Sequence, residues 1–264
     1  MTENQRLVEA AKLYAHASHR GANHFYDGVK DYFDTHLTFV NGWLMKFIHL
    51  VPDYLLDNGV TFHAVLEAAT WLHDVIEDCR RTPNDLIKYF VTCGFSNEVG
   101  YHIARLVFAV SNEKGWSRGD RANAKYYSDM LMVDYADWVK LADRFGNMEY
   151  SMSVGSSMAS KYKAEYSHFR DKLYRRHGNV SYVWHELDKL TYGSDSNVFV
   201  GSVVRLAGFG DSAFVVKDFK SKFEESEVFQ ASRIKLYLHL EDLSTNAPIT
   251  RSASEALIFH NKWI

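Results

Sequence analysis

The stretch Leu72-His73-Asp74-Val75-Ile76-Glu77-Asp78 sets two metal-ligand types side by side, with two further carboxylates one helical turn later. Around it Val65, Leu66, Ala69, Leu72, Val75 and Ile76 recur at the spacing of a core-facing stripe, which predicts a helix over residues 61–79. On such a helix Asp78 falls four residues beyond Asp74, and Glu77 four beyond His73, so each pair shares a face. Taking two carboxylates and an imidazole out of water is costly unless they are paired or hold a cation, so the crowding argues for a metal. A lone His-Asp dipeptide is commonplace as a surface pair, and further ligands must come from elsewhere in the chain.

Downstream, Trp138-Val139-Lys140-Leu141-Ala142-Asp143-Arg144-Phe145-Gly146-Asn147-Met148 is a second amphipathic segment in which Asp143 and Asn147 share a face. Upstream, His36 closes the segment Tyr32-Phe33-Asp34-Thr35-His36 ahead of another apolar run. His36, His73, Asp74 and Asp143 offer two imidazole nitrogens and two carboxylates and leave positions open for water and substrate, as a catalytic site requires. Such a set accepts Mn2+, Fe2+, Co2+ or Zn2+. Glu77 and Asp78 are not needed as ligands. They are free to orient water and exchange protons with it, or they form an acidic pair facing solvent at a helix end. Two close carboxylates tend to separate in pKa, which suits one to each proton-transfer role.

In their order and wording these segments resemble the HD-type hydrolase domain of the RelA/SpoT family, especially its stand-alone members, the small alarmone hydrolases. The resemblance covers roughly residues 5 to 150. It implies that His36, His73, Asp74 and Asp143 ligate Mn2+, that Glu77 and Asp78 flank the attacking water, and that Asn147 contacts the bound nucleotide. Asn147 also reads as a helix C-cap beside Gly146. The relatives usually carry an Arg/Lys pair in the loop before the ligand histidine. Here that stretch is His19-Arg20-Gly21-Ala22-Asn23-His24, with Arg20 early and His24 nearer the expected place. A second basic group, Lys114, Arg118, Arg121 and Lys125, surrounds Gly115 and Gly119. It reads as a phosphate clamp best represented by Lys114 and Arg121, or as a solvated loop.

Composition bounds the remainder. A chain of 264 residues with a hydrophobic fraction of 47% and 3 prolines can bury a sizeable core. A net charge of −3 gives no broad field for nucleic acid or anionic membrane, so the expected partner is small, and the resemblance implies that it is a nucleotide, guanosine tetra- or pentaphosphate. Two cysteines, Cys79 and Cys93, are too few for a disulfide framework and suit a reducing cytosol. No signal sequence and no apolar run of about 18 residues is apparent, and a cytoplasmic location is expected.

The helical rhythm predicts helices near residues 4–18, 37–50, 61–79, 83–91, 96–111, 121–132 and 134–150, then 161–177 and 181–190, with Thr82-Pro83 as cap and first turn. Tyr162, Tyr166, Phe169 and Leu173 form a packing stripe. Tyr192-Gly193-Ser194-Asp195-Ser196-Asn197 looks like a boundary. Beyond it, residues 198–206, 213–216, 233–240 and 256–260 read as strands, and the stretch 203–211 resembles the opening hairpin of an SH3-like barrel. The fold class is therefore mainly α: an HD-domain helical bundle over residues 1–192, with a small C-terminal β-rich module over 196–264 that closes over the site, forms a homo-oligomer or binds a partner. The expected activity is Mn2+-dependent removal of the 3′-pyrophosphate from the alarmone, clearing a stringent-response signal. The alternatives are the same site acting on another nucleotide, such as the 2′-phosphate of NADPH, and a non-catalytic nucleotide-binding regulator.

Overall fold

The computed structural model describes residues 1–26, 28–112, 115–174, 180–192, 203–206, 213–225, 232–242, 248–252 and 256–257. The chain divides into two compact units, Met1–Ala159 and Ser160–Ile264, so the division falls before the change in composition near residue 192. The described residues are mainly helical.

In the first unit, helix α1 (Glu3–Gly21) opens with a capping box in which Thr2 and Gln5 satisfy each other's backbone N–H groups. Its Leu7, Ala11 and Ala15 are fully buried, and α1 packs on α3 (Phe62–Trp71). Helix α3 is the centre of the unit. It buries Phe62, Ala64, Val65, Leu66, Ala68, Ala69, Thr70 and Trp71, and a helix apolar on so many sides belongs inside a core. After the short α4 (Val75–Asp78), α5 (Pro83–Thr92) begins as its sequence predicts. Thr82 caps it, Asp85 completes the box, and Pro83 supplies the first turn. Helix α6 (Asn97–Val110) crosses α5 closely at Gly100, where a Cβ would stand 3.2 Å from Ile87 Cα.

Three expected helices differ in detail. The helix predicted over 61–79 is broken at Leu72-His73-Asp74, which form a turn between α3 and α4. The one predicted over 37–50 starts earlier, as a π-helical turn (Phe33–Leu37) that runs into α2 (Thr38–Phe47) and a final 3₁₀ turn, Ile48–Leu50. The one predicted over 121–132 is two, α7 (Arg118–Arg121) and α8 (Ala124–Leu131), because the Asn123 side chain accepts the Tyr126 N–H and starts a new helix. A two-stranded hairpin, β1 (Phe25–Tyr26) and β2 (Lys30–Asp31), precedes the π-helical turn. Helix α9 (Ala136–Ser153) packs along α2.

In the second unit α10 (Ser157–Leu173) and α11 (Val180–Tyr192) bury Tyr166, Phe169 and Leu173 with Trp184 and Leu187, so the aromatic stripe is packing. The Tyr166 hydroxyl donates to Asp188 at 2.6 Å. Strands β3 (Val203–Leu206), β4 (Ala213–Glu225), β5 (Ser232–Asp242), β6 (Pro248–Ser252) and β7 (Ala256–Leu257) pair antiparallel in the order β6-β5-β4-β3-β7. Strand β4 runs well past the predicted 213–216, with a bulge between Val216 and Asp218. Residues 193–202, 207–211 and 258–260, on which the boundary, the barrel-like hairpin and one strand end were read, lie outside the described residues. Among the described residues, no helix is long and apolar enough to cross a membrane.

Candidate metal centre

Backbone irregularity puts both histidines in place. In the π-helical turn the Thr38 N–H reaches back to the Phe33 carbonyl, which also accepts the Thr38 hydroxyl at 3.0 Å. Asp31 holds the start of the turn by accepting the Phe33 N–H at 2.9 Å. The widened turn faces His36 into the core, where it is 3% exposed, and such turns concentrate at functional sites. The second irregularity is the break after α3. Short-range bonds from Leu72 N–H to the Ala69 carbonyl and from Val75 N–H to the Leu72 carbonyl tighten it. The Thr70 carbonyl accepts instead from His73 Nδ1 at 2.8 Å. A carbonyl can only accept, so Nδ1 carries a proton and Nε2 is the nitrogen turned to the cluster.

Asp143 comes from the middle of α9. Its distance from His36 is set by Gly146: a Cβ there would stand 2.8 Å from Val40 Cγ2 and 3.3 Å from the Val40 nitrogen. The glycine lets α9 lie directly on α2, the helix that continues from the His36 turn.

The four predicted ligands converge. His36 Nε2 and His73 Nε2 are 3.3 Å apart. Asp74 Oδ2 is 3.4 Å from His36 Nε2 and 2.9 Å from His73 Nε2. Asp143 Oδ1 is 3.4 Å and 3.7 Å from the same two nitrogens. Metal–ligand bonds of about 2.0–2.2 Å give neighbouring donors separations of roughly 3 to 3.5 Å, close to the 2.9 to 3.7 Å seen here. His36, His73 and Asp74 alone satisfy the geometry of a metal-holding group, every donor within 4.8 Å of the others. Burial alone would push His73 down. The Asp74 and Asp143 carboxylates nevertheless hold it well above its ordinary value; against the effect of burial, His73 and His36 hold the Asp74 carboxyl well below its own, and Lys140, followed by the two histidines, does the same for Asp143. Ion pairing without a metal is the competing arrangement, in which each Nε2 addresses the Asp74 and Asp143 oxygens; the same convergent donor set fits a divalent cation.

A further ring of groups orients the ligands. The Tyr32 hydroxyl donates to Asp74 Oδ2 at 2.6 Å. Lys140 Nζ lies 3.0 Å from Asp143 Oδ2, and the Asn147 amide donates to Asp143 Oδ1. Asn147 in turn accepts from the Tyr26 hydroxyl at 3.1 Å, and the Tyr26 ring stacks on His36. Asn147 lies inside α9, which continues to Ser153, so the C-cap reading beside Gly146 is incorrect. Tyr26, Tyr32 and Lys140 escape the sequence reading. Tyr32, four residues before His36, and Lys140, three before Asp143, are at helical spacing from a ligand, and that signal was available.

The acidic pair sits beside the cluster. Glu77 accepts from the Asn112 backbone N–H at 3.2 Å and from its amide at 3.0 Å, and Arg121 approaches it to 3.7 Å. Asp78 Oδ2 is 3.6 Å from His24 Nδ1. Burial, with the charges of Asp74 and Glu77, pushes the Asp78 carboxyl up to about 7. His24 lies against the Tyr32 ring and within 3.0 Å of buried His19, which burial pushes down to about 4. Arg20 is exposed at the end of α1. Arg121 is directed to Glu77, and Lys114 lies outside the described residues. A groove of about 780 Å³ lined by Val8, Ile48, His63 and Glu67 contains none of the four ligands. Compared with protein-family models, curated proteins and solved structures, the chain matches none.

Proposed function

We propose that the chain is a divalent-metal-dependent phosphohydrolase that removes the 3′-pyrophosphate of guanosine tetra- and pentaphosphate, with Mn2+ as its ion. The observation that carries this reading is the meeting of His36, His73, Asp74 and Asp143 from three separate segments, with the carboxylates of Glu77 and Asp78 beside them. The resemblance of these segments to the RelA/SpoT hydrolase domain supports the substrate class. A divalent cation held by the four side chains lowers the pKa of water from about 15.7 toward 7 and polarises a phosphoryl oxygen.

The chain's own residues do the rest. Asp78, in its ionised form, accepts the proton of the attacking water and returns one to the departing 3′-oxygen. Glu77, fixed by Asn112, orients that water. Arg121, 3.7 Å from Glu77, is within reach of a phosphate oxygen that competes for its guanidinium. The C-terminal strands act as an oligomer-forming or partner-binding module, which deletion of residues 195–264 addresses through the size of the truncated protein. The deciding experiment is elemental analysis of the purified protein followed by a panel of 3′- and 2′-phosphorylated nucleotides with Mn2+, scored separately for pyrophosphate and orthophosphate. Pyrophosphate from the guanosine compounds is the expected product. Orthophosphate alone, from any member of the panel, overturns the alarmone assignment.

A further inference from the structure

Asn112 and Arg121 both reach the Glu77 carboxylate. Between Trp116 and Arg121 the backbone is tied by a reciprocal cap. Ser117 N–H donates to Asp120 Oδ2 at 2.9 Å, and Asp120 N–H donates back to Ser117 Oγ at 3.1 Å. Gly115 packs so closely that a Cβ would stand 2.7 Å from Asp120 Cβ. An apolar residue just before such a reciprocal cap ordinarily folds onto the fourth residue of the helix. Here that residue is Arg121, whose guanidinium is turned to Glu77, and the indole of Trp116 is left 104% exposed. A side chain able to bury roughly 150–250 Å² thus stands wholly in water on a fixed backbone.

The geometry points to Trp116 as the platform on which the nucleobase of the substrate stacks, with Arg121 taking an anionic oxygen of the same ligand. The inference rests on the phosphohydrolase reading for where the phosphates go. A lone ring suits a heterocycle better than a protein surface, which needs an apolar patch of a few hundred Å², whereas Ser117, Asp120, Arg121 and Asn123 around it are polar. The net charge of −3 likewise gives no field for a nucleic-acid polymer. Stacking on one aromatic face is sequence-tolerant, so the platform adds affinity for any purine nucleotide, and choice among bases must come from other contacts.

The test titrates guanosine tetraphosphate and inorganic pyrophosphate, by calorimetry, into the full Mn2+-loaded chain carrying Asp78→Asn to hold turnover down. Adding Trp116→Ala should weaken the nucleotide roughly tenfold, while Trp116→Phe stays within about threefold of the parent. Pyrophosphate, which has no base, should bind all three proteins alike. Equal nucleotide affinity in the alanine variant overturns the platform. A matching loss for pyrophosphate also overturns it, since the variant would then have disturbed the metal site. If nucleotide binding depends on Trp116 but the unsubstituted chain releases neither pyrophosphate nor orthophosphate, the catalytic reading alone fails.

Discussion

The Tyr32 hydroxyl donates a 2.6 Å hydrogen bond to Asp74 Oδ2, the same oxygen that faces both His36 and His73. Tyr32 is 7% exposed and stacked on His19, so its position is fixed by packing and it transmits that fixity to the ligand. Tyr32→Phe keeps the ring and removes only the donor. Metal affinity is expected to fall about 10- to 100-fold, the usual cost of losing a group that orients a ligand. Competition with a chelator measures it, and a far-UV spectrum unchanged from the parent shows that the fold survives.

Ion binding should also appear as stability. A cation that binds only the folded chain adds about 2.7 kcal/mol at a free concentration of about 100 times Kd. Thermal unfolding with and without Mn2+ should therefore show a rise in Tm that disappears in His73→Ala and in Asp143→Ala. A rise that persists in both variants places the ion elsewhere.

Gly146→Ala tests how the helices set the site. The new methyl would meet Val40 Cγ2 at 2.8 Å and the Val40 backbone just beyond, so α9 must move away from α2. A loss of about 1–3 kcal/mol is expected from the overpacking. Metal affinity should fall with it, because Asp143 moves with α9. Val40→Ala in the same chain should recover part of both losses, a non-additivity that a double-mutant cycle reads directly.

Asp78→Asn should lower turnover by two or more orders of magnitude while leaving metal binding intact. The pH dependence has a definite sign. Burial and the neighbouring Asp74 and Glu77 charges raise the Asp78 carboxyl to about 7, so the base form appears as pH rises and the rate should climb with it. A nearby cation pulls the inflection below 7, and the asparagine variant should lose this limb. In the metal-free protein the same shift acts on stability. The folded state keeps a proton that the unfolded chain gives up above the ordinary value of 3.8, so stability falls as pH rises from about 4 to 7. Asp78→Asn should flatten that decline in an unfolding series.

That His36, His73, Asp74 and Asp143 meet in space is legible in the residues through their shared donor types, and the cap at Thr82 with Pro83 can be read from local rules alone. What the sequence conceals is departure from regular backbone. The apolar stripe from Val65 to Ile76 continues across the turn at residues 72–74, so periodicity predicts an unbroken helix. The side chain of His73 takes the Thr70 carbonyl there, a competition that no hydrophobic pattern records. Lys140 and Tyr32 stand at helical spacing from Asp143 and His36, a signal present in the sequence, but the oxygen each one bonds is fixed only once Asp143 and Asp74 are in place.

The five-residue turn from Phe33 to Leu37 amounts to a regular helix with one residue inserted. Removing a single residue from it would restore ordinary winding and rotate everything on its N-terminal side by about 100° relative to α2. Loss of Phe33, Asp34 or Thr35 would then swing Tyr32 and the hairpin before it out of register with His36. In this part of the chain a deletion too small to disturb the core would uncouple the imidazole from the hydroxyl that steadies its neighbouring carboxylate.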